Sequence, residues 1–129
     1  MTKNRAIIAI GANIPEKERV VNDTIITLSE RYPDSRFSSA YITPAVGSCV
    51  DNPPYCNAVG VLMVDADYET LHTLLKEMEL SAGRTPQSKF TGLIPLDIDI
   101  VAWNDTILRP RDMQQVYVAI GLAELGINL

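Results

Sequence analysis

The chain has 129 residues, of which 47% are hydrophobic, and its formal net charge is -5. This length and composition predict a single domain over residues 1–129 with one core, and they exclude a disordered or fibrous chain. The acidic balance argues against nucleic acid or an anionic membrane as the main partner, and no apolar run reaches the roughly 18 residues of a membrane span.

The N-terminal third predicts a buried strand followed by a helix. Ala6–Ile10 is a short apolar run closed by Gly11, which is typical of a central strand. Asn13 is a candidate cap for the helix that follows. Apolar residues recur at helical spacing as far as Tyr32, and Pro33 then ends the pattern.

The middle of the chain predicts two strands separated by a long loop. Residues alternate in character from Arg36 to Pro44, whereas residues 44–54 are rich in turn formers. A third strand begins at Tyr55, and its period of two places Tyr55 and Asn57 on one face.

The C-terminal half predicts a second helix, a fourth strand and a last short helix. Asp67 is a suitable helix cap, and Gly83 can end that helix. A loop over residues 85–95 precedes the alternating strand Leu96–Trp103, and residues 116–125 suit the final helix. The resulting order β-α-β-β-α-β predicts an α+β, ferredoxin-like fold, an antiparallel sheet with the helices packed on one face.

The fourth strand carries the strongest candidate for chemistry. Alternation places Asp97 and Asp99 on one face, about 6.6 Å apart along the strand. Two neighbouring carboxylates repel each other, and Mg²⁺, which binds carboxylates together with phosphate oxygens, relieves that repulsion. The alternative is a solvated face with two ordinary surface acids. We expect the pair to point into a cleft bounded by the loops 44–54 and 85–95.

Other polar residues have both a functional and an ordinary interpretation. Asn57 can pair with the amide-like edge of a heterocycle and Tyr55 can offer ring area, although both also suit the edge of a core. Glu79 and Arg84 near the end of the second helix are explained equally well as a surface acid and a base that complements the helix dipole. His72 lies off the apolar stripe of its helix, which favours exposure to solvent.

Several motifs together resemble the family of 6-hydroxymethyl-7,8-dihydropterin pyrophosphokinases, the folate-pathway enzymes. The motifs occur in order from about Arg5 to Trp103. They are Ala9-Ile10-Gly11-Ala12-Asn13, Ser38–Pro44 with Val46-Gly47, Tyr55-Cys56-Asn57, Glu79–Arg84 and Leu96–Ile100.

The two cysteines, Cys49 and Cys56, have no companion ligands nearby, so a cytoplasmic, reduced context fits best, and we expect a monomer or weak homo-oligomer. The resemblance implies an enzyme that transfers diphosphate from MgATP to the hydroxymethyl group of the pterin. It implies two Mg²⁺ ions held by Asp97 and Asp99, with Arg84 as a further catalytic residue. It assigns the pterin to Thr43, Pro44, Val46, Tyr55 and Asn57. It assigns the nucleotide to Glu79, Arg84, Ile100, Arg109 and Arg111.

The chain departs from the family pattern where cations are expected. Pro86 stands at the second loop arginine, and Gly92-Leu93-Ile94 stands where the family has Gly-Pro-Arg. Arg109 and Arg111 are candidates to replace those cations. Two alternatives therefore stay open, a pterin-binding paralogue that does not use ATP and a non-catalytic ferredoxin-like regulatory or assembly module.

Overall fold

The computed structural model describes residues 3–45 and 53–128, with Lys89 described by its backbone alone. Within these ranges the chain alternates strands and helices. The elements are β1 (Asn4–Ala12), α1 (Lys17–Arg31), β2 (Arg36–Phe37), β3 (Tyr41–Thr43), β4 (Tyr55–Val64), α2 (Tyr68–Ser81), α3 (Ser88–Thr91), β5 (Asp97–Trp103), β6 (Thr106–Ile107), α4 (Pro110–Met113) and α5 (Val116–Glu124).

The strands form one antiparallel sheet in the order β2-β4-β1-β5-β6, and β3 also pairs with β4. The long apolar strands β1 and β4 lie at its centre, as the continuous apolar run in β1 predicts. The predicted second strand corresponds to β2 and β3 together. The predicted α+β, ferredoxin-like order β-α-β-β-α-β is therefore confirmed.

Alternate residues of the central strands supply two separate hydrophobic clusters. Ile8 and Leu62 belong to the cluster beneath α1 and α2, so the two long helices share one face, as predicted. Ile7 and Val59 belong to the second cluster, which packs with α5 on the opposite face. The final helix is confirmed, and the structure adds that it covers the second face of the sheet.

The predicted second strand is interrupted by a β-bulge. Phe37 pairs with Gly60 and Tyr41 with Asn57, so three residues on one side face two residues of β4 on the other. Ser38 bridges the interruption, because its N–H donates to the carbonyl of Val59 at 2.8 Å and its hydroxyl accepts from the Val59 N–H at 2.9 Å.

A second β-bulge, near the end of β5, changes the face of the sheet on which the following side chains lie. Ile8 pairs with Ile100 but Ile7 pairs with Ala102, which leaves Val101 as the extra residue. Strict alternation along the strand would place Ala102 on the face of Ile100 and Trp103 on that of the aspartates, and the extra residue makes this prediction wrong for both. Trp103 packs on the α1–α2 side instead, with its ring 5.6 Å from that of Tyr68.

The helix ends agree with the sequence at α2 and differ at α1. The Asp67 side chain caps α2 by accepting from the Thr70 N–H at 2.9 Å, and Gly83 follows the helix with φ of +104°. α1 begins after Glu16, and Asn13 does not cap it. In the described part of the chain no helix is long and apolar enough to cross a membrane.

Asn13 has a long-range partner instead of a helix terminus. Its backbone N–H donates to the carbonyl of Ile94 at 3.0 Å, and its side-chain oxygen accepts from the Ile94 N–H at 2.5 Å. Its amide group also donates to the carbonyl of Gly92 at 2.7 Å. The buried Asn13 side chain therefore fixes the segment before β5 to the end of β1.

The close approach of α5 to the sheet depends on Gly121. A Cβ at this position would overlap the side chain of Val59 and lie 2.9 Å from the Tyr41 hydroxyl oxygen. That hydroxyl donates to the carbonyl of Tyr117 at 2.6 Å and accepts from the Gly121 N–H at 3.2 Å. These contacts set the height of α5 above β4 and, with it, the position of Tyr117.

We expect Gly121→Ala to lower the free energy of unfolding by about 1–3 kcal/mol, because the added methyl group overpacks the contact with Val59. On an exposed helix the same change stabilises by about 1 kcal/mol, so the sign of the effect is diagnostic. Urea denaturation followed by circular dichroism measures it, and a more stable variant would contradict the proposed packing.

Candidate functional site

A cavity of about 200 Å³ lies on the α5 side of the sheet, at one end of β1, β4 and β5. Polar side chains from β3, β4, β5, the start of α4 and α5 converge on it. Its walls are formed by Ala9, Ile10, Gly11, Thr43, Pro44, Tyr55, Asn57, Asp97, Asp99, Arg109, Asp112 and Tyr117.

The sheet register explains why these residues meet. Gly11 pairs with Asn57 on one side and with Asp97 on the other. Because Gly11 has no side chain, the space between the side chains of Asn57 and Asp97 stays open. A Cβ at Gly11 would lie 3.2 Å from the Asn57 Oδ1. Ala9 in turn pairs with Asp99, which lies one step further along the same face.

Asp97 and Asp99 are each placed beside cations. The Arg84 Nη1 donates to the Asp97 Oδ1 at 2.7 Å, and it also lies 3.5 Å from the Glu79 carboxylate. Lys76 and Arg109 each approach the Asp99 Oδ1 to 3.8 Å. The alternative of two ordinary surface acids does not fit these surroundings.

The second aspartate is electrostatically strained. Burial, and then repulsion by Asp97, raises the pKa of Asp99 to about 6, although Arg109 and Lys76 act in the opposite direction. The neighbouring cations therefore offset only part of the repulsion between Asp97 and Asp99. A further positive charge near the pair would reduce that repulsion.

Glu79 is buried at 5% exposure, so its interpretation as a surface acid is wrong. Its Oε2 accepts from the Ile98 N–H at 2.8 Å and from the Lys76 ammonium at 3.0 Å. It thus joins α2 to β5 directly beneath the acidic pair. Since it also contacts Arg84, it holds two of the three flanking cations, Lys76 and Arg84, in position.

Asn57 and Tyr55 lie where the sequence predicts, on the face of β4 that lines the cavity. The Asn57 amide group donates to the Thr43 hydroxyl at 2.7 Å and to the carbonyl of Tyr55 at 3.3 Å. This use of its hydrogens leaves the Asn57 Oδ1 as the acceptor above Gly11. Burial, and then the charge of Asp97, raises the pKa of Tyr55, so its phenol remains protonated.

A second cavity, of about 250 Å³, adjoins the first at Asp99 and Arg109, which line both. Its remaining walls come from Tyr68, His72, Lys76, Ile98, Ile100 and Leu108. His72 is half-buried with its ring 5.7 Å from that of Tyr68, so the expectation of a solvent-exposed histidine is wrong.

The remaining predicted site residues are distributed unevenly. Arg109 reaches the junction of the cavities, whereas Arg111 is exposed and lines neither. Val46 and most of the loop 44–54 lie outside the described residues. None of residues 85–95 lines either cavity, so the expected role of that loop as a wall of the cleft is not observed.

The sequence does not reveal two further lining residues, Asp112 and Tyr117. Both belong to the C-terminal segment, where Tyr117 lies in the apolar helix α5 and Asp112 in the short helix α4. Neither has a local pattern that distinguishes it from a packing or surface residue. They reach the cavity because α5 crosses the face of the sheet that carries the aspartates.

Three comparisons relate the chain to known proteins. Residues 7–126 match the family model described as 7,8-dihydro-6-hydroxymethylpterin-pyrophosphokinase (HPPK). A 2-amino-4-hydroxy-6-hydroxymethyldihydropteridine pyrophosphokinase of Helicobacter pylori (strain ATCC 700392 / 26695) is 26% identical over 113 residues, which cover 85% of this chain and 69% of that protein.

Among solved structures, a match is the C-terminal domain of the MgtC protein from Mycobacterium tuberculosis. It is 15% identical, with a TM-score of 0.42, and the alignment covers 76% of this chain and 86% of that one. This similarity is too low to bear on function.

We expect Asp99→Asn to raise the free energy of unfolding at pH 7.5 in EDTA by about 1–2 kcal/mol, because it removes the cost of a charge whose pKa is raised in the folded state. The carboxyl group binds a proton more tightly when folded than when unfolded. In the parent protein its contribution to stability therefore grows as pH falls through about 6 towards 3.8.

The difference in the free energy of unfolding between Asp99→Asn and the parent should accordingly shrink as the pH is lowered from 7.5 to 4.5. Denaturant titrations of parent and variant across this range measure it. Asp23→Asn removes an exposed charge and is the matched control. A gain that is independent of pH, or a loss at pH 7.5, would contradict the assignment.

Proposed function

The chain belongs to the 7,8-dihydro-6-hydroxymethylpterin-pyrophosphokinase family, and we propose that it transfers the terminal diphosphate of ATP to the hydroxymethyl group of 6-hydroxymethyl-7,8-dihydropterin. In this reaction the hydroxymethyl oxygen attacks the β-phosphorus of ATP, AMP leaves, and the hydroxyl proton is released. The protein mainly has to bring the two substrates together and balance the phosphate charge.

The observation that carries this proposal is the meeting of two cavities at Asp99 and Arg109, beside Asp97. The first is lined by polar and aromatic side chains suited to a flat heterocycle, and the second opens on the other side of Asp99 and Arg109. A transfer between two small molecules requires such an arrangement, since the reacting groups have to meet at one point while the rest of each substrate is bound separately.

The acidic pair fits Mg²⁺ rather than a metal held wholly by protein. Asp97 and Asp99 offer carboxylate oxygens, and the described residues contain no cluster of three or more His, Cys, Asp or Glu side chains that could complete a cage. Mg²⁺ typically binds one or two carboxylates together with phosphate oxygens and water. When bound, two such ions would neutralise the phosphates and polarise the reacting phosphoryl group.

On the pterin side, each described residue has a role that follows from its position. The Asn57 Oδ1 would accept from an N–H of the heterocycle, held in orientation by Thr43. Tyr55 would cover the ring, and Pro44 would form the apolar edge. Val46, which lies outside the described residues, completes the proposed set.

On the nucleotide side, the cations carry the charge balance. As metal binds the carboxylates, Arg84 and Arg109 would exchange their contacts with the aspartates for contacts with the adjacent phosphates. Ile100 would pack against the base in the second cavity. Glu79 would act by holding Arg84, and Arg111 would contribute from the rim.

A second candidate is a pterin-binding protein that does not use ATP. Pro86 and Ile94 stand at positions where the resemblance expects arginine. Each charge-assisted contact to phosphate is worth about 1.5–3 kcal/mol, so their loss weakens the nucleotide site more than the pterin site. Calorimetric titration with the pterin and with a non-hydrolysable ATP analogue in Mg²⁺, singly and together, distinguishes the candidates, because only the enzyme has to bind both.

We expect Asn57→Ala to weaken pterin binding by about 1–3 kcal/mol, because ring donors lose their acceptor in a desolvated site. Calorimetry measures the dissociation constant, with Asn22→Ala, an exposed asparagine of α1, as the matched control. Unchanged pterin affinity in a folded Asn57→Ala variant would reject this pocket.

We expect nucleotide binding to depend strongly on Mg²⁺, since the net charge of -5 opposes a polyanion unless metal joins it to the aspartates. Asp97→Asn with Asp99→Asn should abolish binding of the ATP analogue. Asp23→Asn with Asp34→Asn makes the same change in net charge at exposed positions and should leave it intact. Tight binding in EDTA would contradict the placement of the site.

A further inference from the structure

One carboxylate connects the two halves of the site. The Asp112 Oδ2 accepts a hydrogen bond from the Arg109 Nε, and its Oδ1 accepts one from the Tyr117 hydroxyl at 3.1 Å. Tyr117 lines only the first cavity, whereas Arg109 lines both. We propose that Asp112 is a positioning residue for both substrates, which sets Arg109 at the phosphates and Tyr117 against the pterin; this rests on the proposed function.

The local chain explains why Asp112 can serve both partners. It lies in the first turn of α4, three residues after Arg109 and five before Tyr117, which is in the first turn of α5. The carboxylate therefore spans the junction of the two helices. Its side chain is 18% exposed, so these hydrogen bonds are partly shielded from water.

Arg109 needs such a constraint to act at a defined place. Its side chain is 50% exposed and carries several rotatable bonds, so an unheld guanidinium would sample many rotamers. Fixing its Nε directs the Nη1 towards Asp99, at 3.8 Å. The guanidinium is thereby oriented before the nucleotide arrives, which lowers the entropic cost of binding.

Tyr117 is oriented by the same carboxylate. Burial, and then the charge of Asp112, raises the pKa of Tyr117, so its hydroxyl stays protonated and continues to donate. With its hydroxyl held by Asp112 and its backbone carbonyl held by Tyr41, the residue has little freedom to leave the cavity wall. The ring is thus presented as a fixed surface for a flat ligand.

Three substitutions separate the effect of the Asp112–Arg109 contact from that of the Asp112–Tyr117 contact. Asp112→Asn keeps an oxygen for the Tyr117 hydroxyl but loses the charge that holds Arg109, so we expect the KM for MgATP to rise about tenfold, with the KM for the pterin little changed. Tyr117→Phe keeps the ring and loses the hydroxyl, so it should raise the KM for the pterin alone. Asp112→Ala should raise both.

Steady-state kinetics with each substrate varied in turn measures these effects, and calorimetry gives the corresponding dissociation constants. Asp105→Asn, at an exposed hairpin position, is the control and should change neither KM. If Asp112→Ala lowers kcat while both KM values stay at the parent level, Asp112 only supports the fold, and the inference fails.

The same data distinguish this failure from failure of the proposed function. If the parent protein binds neither substrate, both the proposed function and this inference are overturned. If the parent binds both substrates and Asp112→Ala binds each as tightly as the parent does, the inference alone is overturned.

Discussion

Two carboxylates side by side on a half-buried strand face impose the main constraint on this site. Asp97 and Asp99 share that face because a strand has a period of two, and burial prevents water from screening their repulsion. Positive charge has to come from elsewhere in the fold. Arg84 supplies it beside Asp97, and Lys76 with Arg109 supplies it beside Asp99.

These cations are themselves held by acids that lie outside the pair. Glu79 is buried beneath β5 and contacts both Lys76 and Arg84, while Asp112 binds Arg109. The site is thus a network in which each charge has a partner. In such a network the loss of a cation leaves the repelling pair less compensated, which costs more than the lost contact alone. The network also suits the proposed reaction, since metal and phosphate can exchange with the internal ion pairs without leaving bare charge.

The sequence predicts the parts of this arrangement that depend on local periodicity. The period of two in β4 and β5 places Tyr55 with Asn57 and Asp97 with Asp99, and Asp67 and Gly83 mark the ends of α2. Where a residue acts at long range, the local pattern misleads. Asn13 has the chemistry of a helix cap, yet its partner is Ile94, which is far along the chain and cannot be inferred from neighbouring residues.

The sequence also does not reveal the β-bulges or the C-terminal residues that enter the site. An extra residue at Val101 follows from the fit of β5 against β1, and it reverses the faces of Ala102 and Trp103. Tyr117 and Asp112 enter the site only because α5 packs across the aspartate face, close to β4 at Gly121. That packing is decided by tertiary contacts, so sequence periodicity identifies a helix at this position without giving its place in the site.

Phosphorus NMR of the protein incubated with ATP, Mg²⁺ and 6-hydroxymethyl-7,8-dihydropterin tests the proposed diphosphate transfer directly. We expect AMP and a diphosphate ester of the pterin to appear together in equal amounts, and neither to form in EDTA. Release of ADP with a pterin monophosphate, or no transfer although calorimetry shows that both substrates bind, would contradict it.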